Sequence, residues 1–166
     1  MQLLFLLLLL LGPFVILSLA GRLSPRLELP RRVRARVGLS IFFAFTAIGH
    51  FIRTEPMATM LPPWVPYRVA LVYVTGVFEF IGAIAVWIPS LTRLTGLCLI
   101  VMLICILPAN IYSAFERVDF GGHAAGPIYL LMRIPFQLFA IWWTYLSTEQ
   151  NWFHSRAERP VPPDEN

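Results

Sequence analysis

Val69-Ala70-Leu71-Val72-Tyr73-Val74-Thr75-Gly76-Val77-Phe78-Glu79-Phe80-Ile81-Gly82-Ala83-Ile84-Ala85-Val86-Trp87-Ile88 carries one charged residue and stops at Pro89. A helix of that length rises about 30 Å, the thickness of a bilayer's hydrocarbon core. Four further apolar stretches flank it, at about residues 1–20, 37–51, 94–112 and 127–146. Only 13% of the chain is charged, and its mean hydropathy is +0.72. A soluble domain carries about 25% charged residues, so this chain has too little polar surface to cover a core facing water. The expected fold is all-α: a polytopic membrane protein with a four-helix transmembrane bundle and an additional N-terminal transmembrane helix.

The chain divides into an N-terminal transmembrane helix (1–21), an Arg-rich loop (22–36), a four-helix membrane domain (37–146) and a largely disordered tail (147–166). Ser18-Leu19-Ala20 resembles a signal-peptide cleavage site, but no basic residue precedes the apolar run, so the first segment reads as a retained span. Arg22, Arg26, Arg31, Arg32, Arg34 and Arg36 follow it, against the single acid Glu28. Such a cluster resists translocation and sets the N-terminus outside and the C-terminus in the cytoplasm. The basic pI of about 9.6 comes from arginine alone, since the chain has no lysine. That bias suggests a GC-rich bacterial genome, hence a plasma (inner) membrane. Because the arginines lie between apolar segments, they read as topology rather than as a phosphate footprint, and no nucleic-acid partner is expected.

The informative residues are the polar ones inside the spans: His50, Glu79, Asn110, Arg133 and Gln137. A charged side chain at mid-bilayer costs about 2.5–3.5 kcal/mol, so two opposite charges in separate spans suggest a pair. Counted inward from the outer ends, Arg133 lies about 9 Å deep, and Glu79 and Gln137 about 15 Å. All five fall in the outer half. Val72, Thr75, Gly76, Gly82 and Ala83 share the Glu79 face, where small residues admit a neighbouring helix. Pro108 and Pro135 free the carbonyls four residues earlier, at Ile104 and Leu131, which then need internal partners. The expectation is an outward-opening cavity with a Glu79–Arg133 ion pair at its base.

His50 alone reads more readily as a packing histidine than as a metal ligand. His123 falls on the outer side and His154 across the membrane, so no metal site is expected. Cys98 and Cys105 are seven positions apart, about 10 Å along a helix, too far for a disulfide. No P-loop, GxSxG, HExxH or dinucleotide fingerprint occurs, and no residue is assigned a catalytic role.

Gly49-His50-Phe51, the loop at residues 60–66, residues 73–79, Pro108-Ala109-Asn110-Ile111-Tyr112 and Arg133-Ile134-Pro135-Phe136-Gln137 together resemble the DoxX family of small membrane proteins. The resemblance covers roughly residues 37–145. It implies a four-helix membrane core with the family's recurring polar positions on His50, Glu79, Asn110, Arg133 and Gln137. Members are described as subunits of membrane oxidoreductases, including thiosulfate:quinone oxidoreductases, and a distant relative as an assembly chaperone for nicotinic acetylcholine receptors. The expected function is a non-catalytic module binding a lipophilic small molecule, a quinone or a lipid, or a partner subunit through those five residues. The alternatives are a subunit of a quinone-linked oxidoreductase and a membrane-protein assembly factor with a structural polar core. No cofactor motif is evident, a quinone being the one class left open. The expected partners are the lipid bilayer, a lipophilic ligand and a membrane protein, and the small-residue faces permit a homo-oligomer.

Overall fold

Every apolar segment becomes a helix in the computed structural model, which describes residues 2–24 and 28–149. The order is α1 (Gln2–Leu23), α2 (Arg31–Ile52), the short α3 (Thr54–Ala58), α4 (Arg68–Ala85), α5 (Thr92–Phe115), a 3₁₀ segment (His123–Tyr129) and α6 (Leu130–Thr148). No strand occurs among the described residues. Among the described residues five helices are long and apolar enough to cross a membrane: α1, α2, α4, α5 and the 3₁₀ segment joined to α6. Of the tail expected over 147–166, residues 147 and 148 belong to α6, and those from 150 onward lie outside the described residues.

Two boundaries depart from the sequence reading for physical reasons. Residues 22–36 are loop only in part, because α2 starts at Arg31. Pro30 opens it, and its carbonyl accepts the Arg34 amide at 3.2 Å. Arginine is a good helix former, and these side chains find partners at this end of the bundle. Arg36 Nε donates to the Ser147 carbonyl at 3.1 Å, and the Arg34 guanidinium lies 5.6 Å from the Phe14 ring centre. The chain between the apolar stretch at 37–51 and the loop at 60–66 is also partly helical, as α3. Thr54 Oγ1 donates to the His50 carbonyl at 2.6 Å, which joins α3 to the end of α2.

Four helices form a ring in the order α4, α2, α6, α5, and α1 lies against α2 and α6. The backbones of the diagonal pairs, α2 with α5 and α4 with α6, do not approach each other among the described residues. Glycines set how closely the adjacent pairs pack. A Cβ on Gly38 would collide with the Leu10 carbonyl of α1, on Gly76 with His50 of α2, on Gly82 with Leu99 of α5 and on Gly96 with Thr148 of α6. Leu10, Leu39, Phe43, Val86, Leu99 and Ala140 form the apolar core. At the arginine-rich end the Trp87 indole N–H donates to Ser40 Oγ at 2.8 Å, and Thr92 Oγ1 donates to the Val86 and Ile88 carbonyls, closing the α4–α5 turn. Apolar side chains face outward all around: Ile16, Phe78, Ile81, Leu94, Leu97 and Leu131 are exposed while Glu79, Asn110 and Gln137 are buried.

Candidate functional site

The space between the diagonal helices is a cavity of 760 Å³ at the end bearing the α2–α4 and α5–α6 loops. That volume is ordinary for a small-molecule site. All five residues singled out from the sequence line it, on four helices: His50 on α2, Glu79 on α4, Asn110 on α5, Arg133 and Gln137 on α6. Phe42, Phe45, Met102, Ile106 and Phe136 supply apolar wall. Arg53 also borders the cavity and is exposed, beside Met57, Met60 and Leu61.

Glu79 sits one turn from Gly76 and another from Gly82, both buried with it. Gly76 brings α2 so close that a Cβ there would stand 2.7 Å from His50 Cβ. The same approach sets His50 Nε2 3.7 Å from Glu79 Oε2. The carboxylate is 4% exposed, and its Oε2 accepts no hydrogen bond. The expected Glu79–Arg133 ion pair is therefore corrected. Among the described residues the ionisable side chain nearest Glu79 is His50, and Arg133 stands off across the cavity, within reach of the Glu79 charge but not in contact. Arg133 lies over the Phe136 ring at 5.9 Å, and its buried Nε has no partner. Which inward-facing group comes nearest to Glu79 depends on the close α2–α4 approach at Gly76, which helical periodicity does not reveal.

Gln137 is brought to the cavity wall for a different purpose. Its Nε2 donates to the Leu103 carbonyl at 2.6 Å, entirely within the protein. Pro108 removes the donor to the Ile104 carbonyl; the Gln137 amide goes instead to Leu103, one residue earlier. Asn110, on the next turn past Pro108, is 1% exposed, and its Nδ2 has no partner.

Sequence reasoning left out His123. Gly122 (φ 96°) and Gly126 (φ 76°) adopt backbone that glycine tolerates without strain, and they fold the 3₁₀ segment over the cavity. His123 is 2% exposed, packs edge-on against Tyr129 at 4.7 Å and approaches the Phe120 carbonyl with Nδ1 at 2.8 Å. A carbonyl only accepts, so Nδ1 carries the proton, and in the neutral ring Nε2 then presents a lone pair. That Nε2 is buried without a partner. The run of loop glycines around a histidine was the available signal. α1 was missed as well: Leu3, Phe5 and Leu6 form one wall.

Residues 39–148, about two thirds of the chain, match a family described as a domain of unknown function, DUF8561. No curated protein and no solved structure matches the chain. The match corrects the DoxX resemblance. The short stretches that carried it, such as Pro108-Ala109-Asn110 and Pro62-Pro63-Trp64, combine prolines that end or bend helices with interface aromatics. By the family match the chain belongs to the DUF8561 family.

Proposed function

We propose that this chain is a membrane-embedded, non-catalytic module that holds a lipophilic small molecule in the cavity of its helix ring. One observation carries the reading. Seven buried side-chain polar atoms lack a hydrogen-bond partner among the described residues, and five of them line this one cavity: His50 Nδ1, Glu79 Oε2, Asn110 Nδ2, His123 Nε2 and Arg133 Nε. Buried polar atoms are normally paired, and each orphan costs about 1–3 kcal/mol. A bound polar head would answer several at once, with its apolar body along Phe42, Met102 and Phe136. The outward-facing leucine, isoleucine and phenylalanine side chains support lipid as the surrounding solvent. In this reading the arginine end faces the cytoplasm of a bacterial plasma membrane, and the cavity lies in the outer half.

Native mass spectrometry of the gently extracted full chain tests this. A lipophilic molecule should co-purify with the wild type, and that same molecule should be lost in Glu79→Gln and Asn110→Leu; its retention by both variants would sink the reading. Quinol turnover by the purified chain would move the assignment to a quinone-linked oxidoreductase subunit.

The Gln137–Leu103 hydrogen bond favours a second reading, an assembly factor for another membrane protein whose polar core is structural. A membrane protein that co-purifies equally with wild type and Glu79→Gln, with no small molecule in either, would support it.

A further inference from the structure

The orphaned atoms also specify the head group. Arg133 Nε and Asn110 Nδ2 are donors and call for an acceptor, such as a carbonyl or phosphate oxygen. Glu79 Oε2 and His123 Nε2 accept and call for a hydroxyl or N–H. His50 Nδ1, beside them, takes either role according to its tautomer. The charges constrain the ligand further. Arginine stays protonated in proteins, and Glu79 is the one carboxylate on the cavity wall among the described residues. With neutral histidines these two balance. Arg53 lies at the exposed end, where water screens it. An added net charge inside would be buried without a counterion, which is costly.

On the reading of the cavity as a ligand site, we propose that it selects an amphiphile of zero net charge whose head offers an acceptor to Arg133 and Asn110 and a donor to Glu79 and His123. An uncharged glycerol ester and a zwitterionic phospholipid head share that chemistry, and the assay below tells them apart. A free fatty acid, an anionic phospholipid and an alkylamine do not.

The test keeps the tail constant and varies the head. The full chain in mild detergent receives an equimolar mixture of monooleoylglycerol, oleoyl lysophosphatidylethanolamine, oleoyl lysophosphatidylglycerol and oleylamine. The pH is about 8, where imidazole in water is neutral. Native mass spectrometry then reads the bound species. The wild type should carry the uncharged or the zwitterionic probe at least about tenfold over either charged one. Glu79→Gln, which leaves the site positive, should shift uptake to the anionic probe. Arg133→Gln should shift it to oleylamine. Dominance of a charged probe in the wild type, or uptake indifferent to charge, overturns the inference while leaving the ligand site standing. Unchanged selectivity in two folded variants also overturns it. Binding of no probe overturns the ligand site itself. The wild-type result decides even where a variant does not fold.

Discussion

Gln137 Nε2 reaches 2.6 Å across the bundle to the backbone carbonyl of Leu103, tying α6 to α5 at the turn that Pro108 interrupts. This residue shares the cavity wall with the others and yet is already satisfied. Its replacement should therefore weaken the fold more than ligand uptake. Gln137→Leu, similar in size, should lower stability by about 1–3 kcal/mol, read as the shift of the unfolding midpoint in detergent. An unshifted midpoint would remove the brace from the account.

Two glycines on neighbouring helices should respond with opposite sign. A Cβ on Gly38 would collide with the Leu10 carbonyl, so Gly38→Ala must push α1 off α2. Overpacking of this kind costs about 1–3 kcal/mol. Gly12 has open space around it, and alanine there should gain helix propensity, up to about 1 kcal/mol. Thermal unfolding of both variants in one detergent checks the sign of each.

Double-mutant cycles should rank the charges by contact. The His50–Glu79 approach at 3.7 Å predicts a larger coupling energy than Glu79–Arg133, which are not in contact. Exchanging the charges of Glu79 and Arg133 should not restore what the single changes lose. A coupling for Glu79–Arg133 that exceeds the histidine pair would contradict the geometry described here.

Orientation can be read with cysteine labelling after Cys98 and Cys105, both exposed, are changed to alanine. Thr59 is exposed in the loop after α3, and Arg93 is exposed at the start of α5. An impermeant maleimide should label Thr59→Cys in intact cells and Arg93→Cys only after lysis. The reverse pattern would invert the proposed topology.

The helices were legible because an apolar run of membrane length has few alternatives, and residues 69–88 and 94–112 fell close to α4 and α5. Burial cost picked out Glu79, Arg133 and their polar companions, all of which meet at one cavity. What sequence could not reveal was contact. Arg133 and Glu79 each lie on an inward face, but whether two faces meet depends on distances set by other residues, such as Gly76 against His50. His123 depends on a turn made by positive-φ glycines, whose path follows no period. α1 is almost uniformly leucine in its first half and so has no polar face to announce which side turns inward; Gly38 on α2 decides that from outside.

The family match begins at residue 39, while α1, from Gln2 to Leu23, contributes Leu3, Phe5 and Leu6 to the cavity. A fragment trimmed to the family's boundaries would keep the polar floor and lose one side of the chamber. On the proposed ligand reading, tail length and shape would be under separate control from head-group chemistry, and exchanging this single helix would retune which hydrocarbon fits while leaving Glu79, Asn110, His123 and Arg133 in place.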